Sequence, residues 1–165
     1  MTVRDPKPPF QHLIDAHSAD VLRFLRASVG SHDAEDCYQE TFISALRAYP
    51  RLHDASNLRA WLLTIAGRKA IDHHRARSRR AVPVEHVPEQ AVNDAGPRDD
   101  FLWEEVRSLP PKQRAAVVCR FANDLAYAEI GTVLECSEEA ARRSVFEGVR
   151  ALRARSSIQD AEVIR

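Results

Sequence analysis

Residues 126–153 read AYAEIGTVLECSEEAARRSVFEGVRALR, and this stretch decides the fold of the second half of the chain. Its apolar residues recur at helical spacing, and no part of the sequence alternates apolar and polar residues for long enough to indicate a strand. The pattern predicts a short helix over residues 127–134, a turn at Glu135 and Cys136, a cap at Ser137 and a long helix from residue 138 to about residue 155. Two helices joined by such a turn make a helix-turn-helix, whose second helix can enter the major groove of DNA.

The residues before this motif indicate two further helices and a linker. A Pro110-Pro111 start signal and an Asn123-Asp124 break bound a helix over residues 111–122, and another helix is expected over residues 99–108. Residues 81–98, AVPVEHVPEQAVNDAGPR, contain three prolines and a glycine but no helical stripe, which is typical of a flexible linker. Residues 156–165 are expected to form only a short C-terminal tail.

Two helices are predicted at the start of the chain. One helix, or a closely spaced pair, is expected over residues 10–29, and Gly30-Ser31 ends it. The next helix runs until Pro50, with Ser31 or Asp33 as its cap. Its apolar positions, which predict its buried side, are Ala34, Cys37, Tyr38, Phe42, Ala45, Leu46 and Tyr49.

A third helix in this half is predicted over residues 58–78, with Ser56 or Asn57 as its cap. Trp61 lies in its apolar stripe, which favours a place in the core over a stacking platform for bases. The last turns of this helix are rich in basic residues. Cations near a helix C-terminus interact favourably with the helix dipole, so this basic end also has a purely structural explanation. The whole pattern predicts an all-α protein with two small helical domains, residues 1–80 and 99–165, joined by the flexible linker, the second domain being a helix-turn-helix domain.

Charge is distributed unevenly along a chain whose net charge is zero. Lysine and arginine together number 24, as do aspartate and glutamate. Residues 68–80 carry six basic residues against one acid, whereas residues 81–105 carry seven acids against one base. The neutral total therefore conceals a basic stripe beside an acidic segment.

Composition and spacing exclude several classes of protein. No run of about 18 apolar residues exists and the N-terminus has no apolar signal core, so neither a membrane span nor secretion is indicated and a cytoplasmic location is expected. Cys37, Cys119 and Cys136 are odd in number and lack a CxxC pair, which predicts reduced thiols, with a redox sensor as the alternative. His73 and His74 point about 100 degrees apart on a helix and have no ligand partner four residues away, so neither a metal nor a cofactor is expected. No phosphate loop, nucleophile motif or carboxylate pair indicates an enzyme.

Two segments on either side of the linker carry a family resemblance. The first is DAEDCYQETFISALRAYPRL at residues 33–52 followed by NLRAWLLTIAGRKAIDHHRARSRR at residues 57–80. The second is LPPKQRAAVVCRFANDLAYAEIGTVLECSEEAARRSVFEGVRALR at residues 109–153. In residue type, spacing and order they resemble regions two and four of the extracytoplasmic-function (ECF) sigma factors, with AED-x-x-QETF and LRAWL as the most specific pieces.

This resemblance implies an alternative sigma factor that binds the RNA polymerase core and directs transcription initiation at specific promoters. Its implied partners are the clamp of the largest polymerase subunit, promoter DNA and an anti-sigma factor. The residues implied to bind polymerase are Asp36, Gln39 and Glu40, although a solvated helix face would have the same composition. The residues implied to bind the melted proximal element are His53, Ser56, Asn57, Arg59, Arg68, Lys69, Arg75 and Arg77.

The second helix of the helix-turn-helix is implied to read a distal duplex element. The residues at the corresponding positions are Glu139, Ala140, Arg142, Arg143, Ser144, Phe146 and Glu147. The family usually has basic residues where Ser144 and Glu147 stand, a glycine-threonine pair where Glu139 and Ala140 stand, and valine at Ala141. Fewer cations weaken phosphate attraction, so an unusual or weak distal element is predicted.

Three other functions compete with this interpretation. One is a sigma-like interaction or regulatory protein that binds promoter DNA weakly. Another is a free-standing helix-turn-helix repressor, which leaves the first domain without a purpose. The last is a metal-dependent hydrolase built on His53, His73 and His74, which the spacing argument above disfavours.

Overall fold

The computed structural model describes residues 7–80 and 97–163, and these residues form helices joined by short connections. The helices are α1 (Phe10–Val29), α2 (Ser31–Ala48), a 3-10 turn (Tyr49–Arg51), α3 (Leu58–Arg80), α4 (Pro97–Arg107), α5 (Pro111–Phe121), α6 (Tyr127–Leu134) and α7 (Glu138–Val163). The predicted all-α fold is confirmed, as is the helix-turn-helix made by α6 and α7. Within the described ranges, no helix is both long enough and apolar enough to cross a membrane.

Helices α1–α3 pack on one another and form the N-terminal group. Phe24 and Leu25 of α1 are almost wholly buried, as are Leu62 and Leu63 of α3. Each large aliphatic or aromatic side chain buried in this way contributes about 1.5–3 kcal/mol to folding. The apolar stripes of the three helices therefore hold α3, with its basic end, in a fixed position beside α2.

The starts of two helices differ in how they are capped. Asn57 caps α3, because its Oδ1 accepts a hydrogen bond from the backbone N–H of Ala60 at 2.9 Å. The predicted cap of α2 by Ser31 or Asp33 is wrong: the helix begins directly at Ser31, Gly30 precedes it with φ of 89°, and no side chain caps it. Glycine adopts this positive φ without a steric penalty, so α1 and α2 can be joined by a single residue.

One predicted core residue of α2 lies on the surface. Leu46 is 55% exposed, and Ile43, one turn earlier, is 50% exposed, whereas Phe42 and Ala45 are buried. The apolar stripe of α2 is thus wider than its buried face. The prediction of Leu46 as a core residue is wrong because the helix turns this position away from α1 and α3.

Helices α4–α7 form the C-terminal group, in which α5 and α6 are each followed by a left-handed residue. Asp124 after α5 and Glu135 after α6 have φ of 52° and 54°, and the next residue in each case donates its N–H back to the helix. At the end of α6, where the N–H of Cys136 donates to the carbonyl of Gly131 at 2.9 Å, this is the Schellman arrangement. In the helix-turn-helix, Ser137 then caps α7 through a 3.1 Å hydrogen bond from the N–H of Ala140, as predicted.

The largest boundary differences are at the two ends of the C-terminal group. Helix α4 begins at Pro97 rather than at residue 99, because proline suits the first turn of a helix, where its missing N–H has no partner to lose. Helix α7 continues to Val163, so the expected short tail is largely helical. The predicted linker lies at residues 81–98, of which residues 81–96 are outside the described residues.

The two groups are packed against each other in the described structure. Helix α3 contacts α6, and α1 contacts both α4 and α5. Asn123, between α5 and α6, is 1% exposed and donates a 2.9 Å hydrogen bond from Nδ2 to the backbone carbonyl of Asp20 in α1. The buried residues of both groups accordingly form one continuous apolar core.

Candidate nucleic-acid and protein interfaces

The outer face of α2 is the first candidate interface. Three polar residues are exposed on it: Asp36 and, one turn later, Gln39 and Glu40. Exposed Ile43 and Leu46 continue the same face toward the C-terminus of the helix. Sequence reasoning missed these two residues because their type and spacing are the same as those of core positions. The face therefore combines acidic and amide groups with an aliphatic patch, as protein-binding surfaces often do.

Asp33 belongs to a different cluster although it lies on the same helix. Its Oδ2 is 3.1 Å from Nε2 of His73 and 3.4 Å from Nη1 of Arg77, both on α3. Glu40 lies farther from its α3 neighbour, with 3.9 Å between Oε2 and Nζ of Lys69. Ion pairs of α2 with α3 thus involve Asp33 and Glu40, while Asp36 and Gln39 point outward.

The loop between the 3-10 turn and α3 is the second candidate interface. His53, Ser56 and Asn57 are exposed in it. The Oδ1 of Asp54 accepts a hydrogen bond from the N–H of Ser56 at 2.9 Å, so the loop has its own internal turn. Since Asn57 uses its Oδ1 as the cap of α3, its Nδ2 is the group that remains available to a base.

Lys7 supports this loop from the N-terminal segment and was not identified from the sequence. Its Nζ lies 4.6 Å from the centre of the Tyr49 ring and donates hydrogen bonds to the carbonyls of Tyr49 and Leu52. Lys7 precedes the first predicted helix, so no periodic pattern connects it with a loop more than 40 residues away. The ammonium group stabilises the entry to the loop and adds a cation beside it.

The basic residues of α3 face three directions rather than one. Arg59 and Arg68 face the C-terminal group: Nη2 of Arg59 donates to the carbonyl of Asn123 at 2.5 Å, and Arg68 pairs with Glu135. Lys69 and Arg77 face the acids of α2 described above. Arg75 is exposed. The residues predicted for backbone contacts are therefore not all free at once in this arrangement.

Asp20 determines the orientation of Arg59. The Oδ2 of Asp20 accepts from Nε of Arg59 at 2.8 Å, and its Oδ1 accepts from Nη1 of Arg23 at 2.9 Å. Charge-assisted bonds of this length hold a guanidinium in one orientation. Arg59 is held against α1 on one side and can reach the carbonyl of Asn123 with its other nitrogen.

The exposed face of α7 is the third candidate interface. Glu139, Arg142, Arg143, Phe146 and Glu147 are exposed, and Phe146 is exposed by 66%. Ala140 is half-buried. Together with Arg150, which sequence reasoning missed, they present a face of mixed charge with one aromatic ring. Arg143, Phe146, Glu147 and Arg150 also line a groove of about 550 Å³ whose other wall includes Gln113 of α5.

Ser144 does not belong to this face. It is only 8% exposed, and its hydroxyl donates to the carbonyl of Ala140 at 2.9 Å within the helix. Its position places it with Ala141 and Val145 on the side of α7 that packs on α5 and α6. A direct contact of the Ser144 hydroxyl with DNA is therefore contradicted by its burial and by its hydrogen bond.

Arg142 is the most strongly oriented cation of α7. Its Nη2 donates to Oε1 of Glu138 at 3.0 Å, and its Cζ lies 4.9 Å from the centre of the Tyr127 ring. Arg120 of α5 lies 5.0 Å from the same ring. One tyrosine at the start of α6 thus attracts a cation from each neighbouring helix.

Burial shifts the pKa of several side chains in the core. It raises the pKa of the Cys119 thiol to about 12 and that of the Cys37 thiol to about 11, and for Cys37 the acids Glu40, Asp33 and Asp36 add to the increase. It lowers the pKa of His74, whose Nε2 donates to the carbonyl of Ser28 at 2.8 Å. Both thiols are thereby kept protonated and unreactive, and His74 favours its neutral form.

Metal ligation has no support in the described ranges. No cluster of three His, Cys, Asp or Glu side chains in residues 7–80 and 97–163 is arranged to hold an ion. His73 faces Asp33, and His74 faces the carbonyl of Ser28. Both imidazoles therefore belong to the packing between helices.

Comparison with known proteins assigns each half of the chain to a known region. Residues 13–80 match the family model described as Sigma-70 region 2, and residues 106–154 match the one described as Sigma-70, region 4. A similar relative is the ECF RNA polymerase sigma factor ShbA of Streptomyces griseus, 33% identical over 152 residues that cover 81% of this chain and 80% of ShbA. These matches define the class as that of two-region sigma-70 proteins. Within this class, the chain belongs to the ECF RNA polymerase sigma factors.

Two further comparisons describe the extent and the fold of the match. The ECF RNA polymerase sigma factor BldN of Streptomyces coelicolor is 32% identical over 155 residues, which cover 87% of this chain but only 58% of BldN. Sigma factor RpoE of Bartonella quintana, solved with the anti-sigma factor NepR, has a TM-score of 0.69 at 18% identity and covers 88% of this chain and 94% of its own. The RpoE structure thus supports the helical fold described above.

Proposed function

We propose that this chain binds the RNA polymerase core and directs transcription initiation at promoters that have two sequence elements. The observation that carries the proposal is the exposed face of α7, presented by a capped helix-turn-helix, in a chain that also carries an exposed acidic face on α2. A helix-turn-helix reads duplex DNA, and a separate acidic face suits a basic protein partner. Membership in the ECF sigma factors supports the combination.

The outer face of α2 is proposed as the polymerase-binding surface. Asp36, Gln39 and Glu40 are exposed and able to accept charge-assisted hydrogen bonds from arginines of a partner. Ile43 and Leu46 are added to this surface because an aliphatic patch gains most when a partner covers it. The acidic part would set orientation and association rate, and the aliphatic part would add affinity.

The loop and α3 are proposed to hold the melted proximal element. His53, Ser56 and the free Nδ2 of Asn57 offer hydrogen-bonding groups to an extruded base. Cations for the backbone of the strand are Arg59, Arg68, Lys69, Arg75 and Arg77, joined by Lys7 beside the loop.

The face of α7 is proposed to bind the distal duplex element. Arg142 and Arg143 are its cations, and Phe146 offers an apolar contact of the kind that fits a thymine methyl. Glu139 and Glu147 oppose phosphates but are able to accept a hydrogen bond from cytosine. With Ser144 removed from the set, the proposed surface consists of Glu139, Ala140, Arg142, Arg143, Phe146 and Glu147.

Other parts of the proposal follow from the family. We expect no catalytic activity of the chain itself, a cytoplasmic location and control by an anti-sigma factor. The proposal is tested by mixing the purified chain with core polymerase and selecting transcribed templates from random DNA. We expect a start signal of two conserved elements to emerge, whereas binding to the core without transcription would favour a sigma-like interaction protein instead.

The distal element has its own test in the same assay. Arg142→Ala with Arg143→Ala is expected to weaken selection at the distal element by roughly tenfold while the proximal element stays selected, because one good base contact is worth about 1–3 kcal/mol. Arg23→Ala with Arg26→Ala removes two exposed arginines of α1 and serves as the control. An unchanged promoter preference of the α7 variant would remove this face from the proposal.

A further inference from the structure

The Lys7 segment, residues 7–9, contacts the entry of the loop, residues 52–57, that the proposed function assigns to the melted strand. The ammonium group of Lys7 donates to the backbone carbonyls of Tyr49 and, at 3.2 Å, of Leu52, and it lies 3.5 Å from the carbonyl oxygen of Pro50. Tyr49 and Pro50 belong to the 3-10 turn that follows α2, and Leu52 is the first residue of the loop. Carbonyls at the end of a helix lack partners within it, and a cation there is favourable. One ammonium group thus fixes the backbone path from the turn into the loop.

The Lys7 segment is itself held in place from both sides. Pro8 and Pro9 separate Lys7 from α1, and a proline ring restricts its own φ and favours an extended conformation of the residue before it. Pro9 has φ of −54° and ψ of 143°. The hydroxyl of Tyr49 donates a hydrogen bond to the carbonyl of Pro8. Because two prolines leave the segment few conformations to lose, little entropy opposes the attachment of Lys7 to the turn.

Tyr49 is the common support of the Lys7 segment and of the 3-10 turn. It is 7% exposed, and its ring centre lies 5.3 Å from that of Phe10 in α1 and 6.1 Å from that of Trp61 in α3. The ammonium nitrogen of Lys7 lies 4.6 Å from the same ring. The start of the loop is therefore anchored to α1 and α3 through one aromatic side chain and one cation.

The loop depends on polar contacts for its order, because most of its side chains are exposed. His53, Ser56 and Asn57 are all exposed. The exit of the loop is fixed by Asn57, which caps α3, and its middle by the hydrogen bond from the N–H of Ser56 to Asp54. Lys7 supplies the contact at the entry. Groups that are ordered before a ligand arrives lose less entropy on binding it, so the entry contact contributes to how well the loop can hold a base.

We propose that Lys7 is a positioning residue that determines how selectively the loop holds the extruded base of the proximal element. The proposal rests on the proposed function, because it assumes that the loop holds that base. It adds that Lys7 acts through the loop backbone, and not only through the charge that it places beside the strand. A loop whose entry is loose can offer its hydrogen-bonding groups to several bases, whereas a fixed loop fits one base best.

The test compares two variants that loosen the entry with one matched control. Lys7→Met removes the ammonium group and keeps a long side chain. Tyr49→Phe removes the hydrogen bond to Pro8 and changes no charge. Lys112→Met removes the same charge as Lys7→Met from an exposed position at the start of α5 and is the control.

Two measurements are made on the full chain. The first uses core polymerase and templates that carry each of the four bases in turn at every position of the selected proximal element, and it gives the ratio of transcription between the best base and the next. The second is hydrogen–deuterium exchange of the loop amides in the chain alone.

We expect Lys7→Met to lower the ratio at the most selective position roughly threefold to tenfold, which is part of the discrimination that a well-formed base contact provides. Tyr49→Phe is expected to lower it in the same direction by a smaller factor, because Lys7 remains but its segment is less firmly held. Lys112→Met should keep the wild-type ratio, and selection at the distal element should be unchanged in all three. Exchange of the loop amides is expected to be faster in Lys7→Met and Tyr49→Phe than in the control.

Equal ratios in Lys7→Met and Lys112→Met would overturn the proposal. A loss of transcription by one factor on all templates, with a weaker dependence on salt, would also overturn it, because that is the effect of losing a phosphate contact. Circular dichroism checks that the variants are folded. Should Lys7→Met not fold, Tyr49→Phe decides with the same expected direction.

The exchange measurement separates this proposal from the proposed function, because it needs neither polymerase nor DNA. A wild-type chain that transcribes no template would contradict the proposed function, and with it the holding of a base by the loop. Faster exchange in Lys7→Met would still show that Lys7 orders the loop. A wild-type chain that transcribes selectively while exchange in Lys7→Met is unchanged would contradict the positioning role of Lys7 alone.

Discussion

Gly131 lies where the turn of the helix-turn-helix passes closest to α6. A Cβ at this position would be 2.8 Å from the carbonyl oxygen of Cys136, a backbone atom that cannot move alone. At Gly67 in α3, the nearest atom to a new Cβ is Cζ of Phe24 at 3.8 Å, an ordinary contact. The two glycines therefore make a matched pair: one is required by the turn and the other is not.

Gly131→Ala is expected to lower the free energy of unfolding by about 1–3 kcal/mol, because the turn must shift to admit the methyl group. Gly67→Ala is expected to raise it by roughly 0.5–1 kcal/mol, because alanine is the better helix former and finds space. Urea unfolding followed by circular dichroism measures both. Equal effects of the two substitutions would contradict the close approach at Gly131.

We expect Tyr127 to position Arg142, a proposed DNA contact, rather than to contact DNA itself. Its ring lies 4.9 Å from the guanidinium carbon, and Glu138, one turn earlier in α7, holds the same side chain. Tyr127→Leu is expected to weaken selection at the distal element about twofold to fivefold, since an exposed cation–π contact is worth about 0.5–1 kcal/mol. Tyr127→Phe keeps the ring and should retain selection; a loss in both variants would show that the hydroxyl, not the ring, is needed.

At the scale of the element, α3 carries a histidine that links packing to pH. The pKa of His74 is lowered mainly because burial disfavours the charged imidazolium; Arg114, His73 and Arg77 lower it further, while the hydrogen bond to Ser28 opposes them. The unfolded chain binds this proton near pH 6.5, and the folded chain binds it only at lower pH. As the pH falls through about 6.5, the unfolded chain therefore binds more protons than the folded chain. The free energy of unfolding consequently falls as the pH falls.

Urea unfolding at pH 7.5 and pH 5.5 measures this dependence. His74→Gln is expected to reduce the loss of stability between the two pH values but not to abolish it, because burial also lowers the pKa of His17. His53→Gln, which changes an exposed loop histidine, is the control. An equal loss in wild type and His74→Gln would exclude His74 as a source of the effect.

Helices were the most predictable elements, and their ends and buried faces were less so. Ser137, and Asn57 as one of two candidates with Ser56, were predicted as caps because a polar side chain directly precedes a periodic stripe. The start of α2 was mispredicted because Gly30 performs the reversal by its backbone alone and leaves Ser31 inside the helix. Leu46 was mispredicted because periodicity shows that a stripe is apolar but not how much of it a neighbour covers.

At the scale of the whole molecule, the docking of the two groups of helices was not predictable from the sequence. The contact depends on polar residues such as Asp20 and Asn123, which are 103 residues apart and follow no period. The same docking changes the site. Arg59 and Arg68 were predicted as strand contacts from the family resemblance and their charge, and neither shows which acid is near. Region membership, in contrast, is a local property of each segment and was confirmed by the matches to both regions.

The continuous core predicts that both groups unfold together. Trp61 in α3 and Trp103 in α4 are the two tryptophans of the chain, and both pack against that core. Trp61→Phe and Trp103→Phe each leave one fluorescent reporter, one per group. In each variant, we expect the urea midpoint of the remaining tryptophan's fluorescence to coincide with the midpoint of the circular dichroism transition. A fluorescence midpoint that differs from the circular dichroism midpoint would indicate that the two groups unfold independently.

The bond between Asn123 and Asp20 has a consequence for building chimeras. Its acceptor is a backbone carbonyl, which every amino-acid sequence supplies, so a foreign N-terminal group with the same helix geometry could still receive the Asn123 amide. The Arg68–Glu135 pair depends on two side chains and would be lost unless both were transplanted. In chimeras of relatives, we therefore expect the hydrogen bond from Asn123 to be kept more readily than the ion pair between Arg68 and Glu135. To keep the ion pair, both of its residues must be transferred together.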